Sequence, residues 1–144
     1  MRAAVDLSDG MYASVVSLCE TNGLGARLDP DIRLDPAVAE VCRQAAVDPF
    51  DLAQLWGDWT LLVAVDAGAV GRVREVATGL GAHAHPLGVM TEAPAVVVAR
   101  PGGDAPWVGA DAERFTASSW HTDRVGAYLA RVAGRASGDG AGVA

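Results

Sequence analysis

Apolar residues recur three and four apart between Met11 and Cys19: Tyr12, Val16 and Cys19 share one helical face, with Met11, Val15 and Leu18 beside them. The spacing predicts a helix opening after Ser8-Asp9-Gly10, with Ser8 as its N-cap and Asp9 in the first turn, where a carboxylate complements the helix dipole. Asn22-Gly23 supplies the stop. Ahead of this helix, Arg2–Leu7 reads as a short strand, and another is expected around Ala26–Leu28. Asp35-Pro36 opens a second helix with the stripe Val38, Val41, Cys42 and Ala45, closed by Asp48-Pro49, and Phe50–Trp56 reads as a short helix or loop.

The run Trp59–Val65 is β-rich and continuous enough to predict a strand buried on both faces. Ala67–Leu80 reads as a helix with Val70, Val73 and Val76/Ala77 inward, ended by Gly79 and Gly81. Two strands follow, His83–Met90 and Ala95–Arg100, joined by Thr91-Glu92-Ala93-Pro94. Trp107-Val108 reads as a further short strand after the Pro-Gly-Gly-Asp turn, and a last helix is expected over Asp123–Val132. Gly134–Ala144, small and glycine-rich, reads as a flexible tail. This order predicts an α/β (α+β) domain, residues 1–133, in which helices cover a mixed β-sheet.

Composition narrows the function. At 144 residues, 51% of them hydrophobic, the chain suits one domain with a packed core. Its net charge is −7 and every basic residue is Arg. A field of that sign repels phosphate backbones, which argues against nucleic-acid and membrane-surface partners. A small phosphorylated ligand remains compatible, because magnesium can bridge carboxylates to phosphate. Cys19 and Cys42, each in an apolar helical pattern, fit reduced core thiols of a cytoplasmic protein, and no apolar run is long enough to span a bilayer.

Four clusters bear on chemistry. Asp6, Ser8, Asp9 and Gly10 set two carboxylates and a hydroxyl at a helix start, a pattern able to hold a metal or meet a phosphate. Spacing alone favours the plainer reading, a capped helix with solvated acids. Trp56-Gly57-Asp58-Trp59 places an acid between two indoles, suited to a site with a stacking Trp, or to a turn with one solvated acid and two half-buried anchors. His83 and His85, alternating on an expected strand, resemble two metal ligands with no third at hand. A thiol nucleophile is disfavoured, since an apolar setting raises a thiol's pKa.

Four stretches resemble one known family in order. Val5-Asp6-Leu7-Ser8-Asp9-Gly10-Met11 is similar to the "D-[IL]-S-D-G-[LM]" element of thiamine-monophosphate kinase and its relatives in the AIR synthase-related (PurM-like) family. Asn22-Gly23-Leu24-Gly25-Ala26-Arg27-Leu28 resembles "S-G-V-G-A-x-[IL]", and Leu55–Leu62 falls where the kinase has "G-G-E-D-Y-E-L-L". Pro86–Thr91 resembles "x-I-G-x-[IV]-T". The resemblance implies the C-terminal domain of that family: an ATP- and magnesium-using phosphotransferase or synthase acting in a cleft against an N-terminal domain that this chain does not include. By that resemblance Ser8 and Gly10 approach the nucleotide phosphates, and Asp6, Asp9 and Asp58 serve as magnesium or phosphate-side ligands, Asp9 and Asp58 catalytically. The implied partners are the nucleotide, a small phosphorylated or heterocyclic substrate and the missing domain, without which the chain is inactive. Gly57 and Thr60 stand where the kinase has Glu, and Leu55 and Trp56 replace its two glycines. The alternative is a non-catalytic module that pairs with a separate N-terminal domain or partner protein.

Overall fold

A computed structural model of the chain describes residues 1–55, 58–107, 124 and 126–130, and the side chains of Gln54, Leu55 and Asp58 are outside that description. Strand β1 (Ala3–Leu7) leads into helix α1 (Met11–Asn22), strand β2 (Gly25–Leu28), and helices α2 (Pro36–Ala45) and α3 (Pro49–Leu55). Strand β3 (Asp58–Ala64), a 3₁₀ turn (Ala67–Ala69) and helix α4 (Val70–Gly79) follow, then strands β4 (Gly88–Thr91), β5 (Val96–Arg100) and β6 (Gly103–Pro106). Residues 126–130 are helical, the described part of the expected last helix; the rest of that helix, Val108 and the expected tail lie outside the described residues.

The strands form a mixed four-stranded sheet in the order β4-β2-β5-β6 and a two-stranded antiparallel ribbon, β1-β3. In the sheet β2 is antiparallel to β4 and parallel to β5, and β5 is antiparallel to β6. The expected α+β class, helices on a mixed sheet, is observed; the ribbon is an addition that the pattern did not separate from the sheet.

Local chemistry explains most boundaries. Gly23 takes φ 64°, ψ 31° and ends α1, its N–H reaching the carbonyls of Cys19 and Glu20. Asp35 caps α2, accepting from the Ala37 N–H at 2.8 Å, with Pro36 in the first turn. Asp48 accepts from the Phe50 N–H at 2.7 Å and so starts α3 rather than closing α2. Ser8 is not the cap of α1. That position belongs to Gly10 (φ 91°, ψ 155°), a conformation open to glycine, and no side chain caps the helix.

The main core joins Met11, Val15 and Cys19 of α1 to Ala26 and Leu28 of β2, Phe50 of α3, Val98 of β5, and Trp107. Trp107 meets Tyr12 edge-on at 4.9 Å between ring centroids and Phe50 at 5.4 Å. A smaller cluster gathers Cys42, Val47, Leu52 and Tyr128.

Further expectations need correction. β3 is not buried on both faces: among the described residues it pairs with β1 alone, and Trp59 and Leu61 are exposed. Periodicity reports apolar residues, and a ribbon with one covered face satisfies it as well as a central strand does. On α2 only Cys42 is buried, with Val38 and Val41 exposed, and no residue of α4 is buried. The segment before Gly88 is irregular, so His83 and His85 do not share a strand face. Pro86 lacks the N–H a ladder needs, and the His85 imidazole donates from Nε2 to the Asp31 carbonyl at 2.9 Å.

Candidate functional site

At the end of β1 the chain turns sharply. The Gly10 N–H donates to the Leu7 carbonyl at 2.9 Å, and the Gly10 carbonyl accepts from the Ser14 N–H, starting α1. The turn sets Asp6, Ser8, Asp9 and Gly10 at the N-terminal end of α1. Asp6 is exposed, Ser8 and Asp9 are half-buried, and Gly10 is buried. The Ser8 hydroxyl donates to Asp6 Oδ2 at 3.1 Å, so it orients that carboxylate instead of capping the helix.

Ser14 was not singled out from the sequence. Buried on the inward face of α1, its hydroxyl donates to the Asp6 carbonyl at 2.8 Å and ties the end of β1 to the first turn of the helix. The signal available was one hydroxyl on an otherwise apolar stripe.

The β1–β3 register brings the second motif to the first. Asp6 lies opposite Leu61 and Leu7 opposite Asp58, with the ladder shifting between Asp6 and Leu7. The backbone at Asp58 therefore stands across from the residue that leads into Ser8-Asp9-Gly10. Trp56 and Gly57 lie outside the described residues. His83 and His85 belong to another region: His85 is tied to the loop at Asp31, opposite the start of β4.

Among the described residues no three His, Cys, Asp or Glu side chains converge as a ligand set. Magnesium held mainly by phosphate oxygens and water needs only one or two carboxylates, and Asp6 and Asp9 beside an uncapped helix start fit that requirement. Burial pushes the Cys19 thiol up, with Glu20 adding, and the Cys42 thiol up, with Asp48 adding, and both cysteines are free and buried. Burial also raises the Asp51 carboxyl, Asp48 adds to this and Arg100 opposes it. Arg27 and Asp104 pair at 2.9 Å on the exposed face of the sheet.

Two other matched stretches owe their glycines to packing. A Cβ on Gly25 would run into the carbonyl oxygens of Ala93 and Ala95. One on Gly88 would run into the Arg27 carbonyl oxygen, with the Leu28 Cα at 2.8 Å. These positions serve the sheet rather than the β1–β3 site.

No family model matches the chain, and no curated protein matches it. Among solved structures the fold is similar to that of E. coli HypE, a hydrogenase maturation protein, with a TM-score of 0.65 and 23% identity. The match covers 79% of this chain and 37% of the HypE chain, so the chain spans little more than a third of that protein's length. The likeness shows a shared, PurM-like fold.

Proposed function

We propose that this chain is one part of an ATP- and magnesium-using phosphotransferase or synthase, contributing acidic and phosphate-side groups to a site completed by an N-terminal domain or a separate subunit. The observation that carries the reading is the register setting Asp58 across from Leu7, which gathers the two acidic motifs at one end of the ribbon. The PurM-like fold supports it. Thiamine-monophosphate kinase is the finer form of the reading, resting on the motif resemblance. The two buried free thiols support a cytoplasmic setting.

In this reading ATP with magnesium supplies the transferable phosphoryl group and the charge neutralisation that such transfer needs. Asp6 and Asp9 would hold the metal on this side of the site, with Asp58 opposite. Gly10 keeps the approach to the helix start clear of a side chain, and Ser8 orients the Asp6 carboxylate. Ser14, through the Asp6 carbonyl, fixes the distance between strand end and helix. The small phosphorylated or heterocyclic substrate would be read mainly by the completing domain.

Calorimetric titration of the chain with ATP and magnesium, beside Asp9→Asn, tests this. Saturable binding that is lost in the variant is the expected result. Equal binding by Asp9→Asn removes the role assigned to that residue, and a folded chain with no binding means half a site at most and moves the titration to the chain joined with its completing domain. The second reading, a non-catalytic interaction module, is favoured by one observation: the ribbon leaves Trp59 and Leu61 exposed. Absence of nucleotide binding both alone and in complex with a captured partner chain would select it.

A further inference from the structure

Trp107 joins elements that adjoin both acidic motifs. Its backbone N–H donates to the Val96 carbonyl at 2.9 Å, which anchors it to β5 of the main sheet. Its indole meets the Tyr12 ring at 75° between planes and the Phe50 ring at 41°. Tyr12 lies in the first turn of α1, just after Gly10, and Phe50 in the first turn of α3, the helix that leads toward Asp58. Leu62 of β3 packs on the same core cluster. Trp107 is buried, and its Nε1 has no hydrogen-bond partner among the described residues.

We propose that Trp107 is a positioning residue for the candidate site: its ring fixes the first turn of α1 against α3, and with it the placement of residues 6–10 relative to the backbone at Asp58. With Nε1 unpaired, ring contacts rather than a hydrogen bond hold the side chain. Such contacts favour particular ring angles, so they orient the two helices where aliphatic packing would let them slide. Trp107 touches no ligand in this arrangement and acts through α1 and α3. A shift of about 1 Å in a binding turn is enough to cost a large part of its effect. The consequence for nucleotide binding rests on the ATP and magnesium reading; the consequence for backbone order does not.

Amide hydrogen exchange of the ligand-free chain reads that order directly. The Gly10 and Ser14 amides, bonded to the Leu7 and Gly10 carbonyls, report the first motif, and residues 58–61, opposite β1, report the second. Trp107→Leu should speed exchange at both by at least about tenfold. Trp107→Phe keeps an aromatic ring and gives up no hydrogen bond, so both should stay within about threefold of native. Leu28→Ala is the control for lost stability. Leu28 is buried on β2, where it pairs with Gly88 and Val98, and truncating it removes neither ring contact. Its exchange at both motifs should stay within about threefold of native. Should Trp107→Leu fail to fold, Tyr12→Leu, at a half-buried position, removes one ring contact and should speed exchange at Gly10 and Ser14.

Titration with ATP and magnesium then reads the site. Trp107→Leu should bind at least about tenfold more weakly than native, with Trp107→Phe and Leu28→Ala within about threefold. A native protein that binds no nucleotide bears on the ATP reading alone, and hydrogen exchange still decides the positioning role. Four results would overturn the proposal. They are unchanged exchange at either motif in Trp107→Leu, equal loosening by Leu28→Ala, no recovery of order in Trp107→Phe, and Gly10 and Ser14 amides unmoved by Tyr12→Leu.

Discussion

Gly25→Ala adds one methyl group, and the structure gives it nowhere to go. β2 is an inner strand, held by β4 on one side and β5 on the other. The new Cβ would meet the carbonyl oxygens of Ala93 and Ala95 and lie 2.6 Å from the Ala95 nitrogen. These are backbone atoms of the turn into β5, and the Ala95 carbonyl also accepts from the Ala26 N–H at 3.1 Å. Relief requires the strands to part by about 1 Å, which breaks that bond and loosens the core at Ala26 and Val98. Overpacking in a core costs about 1–3 kcal/mol, and a clash with backbone belongs at the top of that range or above it. The reduced entropy of the unfolded chain returns about 0.5 kcal/mol. A net loss near 3 kcal/mol lowers Tm by about 10 °C at this chain length. Two other glycines isolate the cause. Gly23→Ala meets no atom within 4 Å but must hold φ 64°, and should cost about 1 kcal/mol. Gly71→Ala, in open space on α4, should gain about 0.5 kcal/mol. Thermal and urea unfolding of the three variants checks the order. A Gly25→Ala protein losing less than about 1 kcal/mol, or no more than Gly23→Ala, would refute the packing argument.

Ser14→Ala removes the hydroxyl that holds the Asp6 carbonyl. The lost bond costs about 1.5 kcal/mol and better helix propensity returns about 0.5, so urea unfolding should show a net loss near 1 kcal/mol. Asp51 has its carboxyl raised by burial and by Asp48, so the folded state favours the protonated form. The stability tied to this group is present at low pH and is lost as pH rises through the raised value. Asp51→Asn should therefore raise Tm at pH 7, with the gain vanishing toward about pH 4; a gain that persists there would count against the assignment.

The elements of the first half were legible because their signals are local. Asp35-Pro36 and Asn22-Gly23 act through hydrogen bonds and backbone angles within a few residues, and they bound α2 and α1 as the pattern indicated. The Ser8 cap failed for a reason of the same scale. Gly10 takes the cap position in a conformation closed to other residues, and the Ser8 hydroxyl finds Asp6. For the candidate site, the sequence showed two acidic motifs about fifty residues apart and nothing in their periodicity to join them.

By itself the sequence determined which residues turn, cap and alternate, and hence the α+β class and the list of acids. Tertiary structure decided what those patterns face. It split β1 and β3 from the main sheet, exposed Trp59 and Leu61, and brought Asp58 opposite Leu7. It also showed that Gly25 and Gly88 serve close strand packing. The physical reason is that a hydrophobic period records only that a face is apolar. Which neighbour covers that face depends on contacts between residues far apart in the chain.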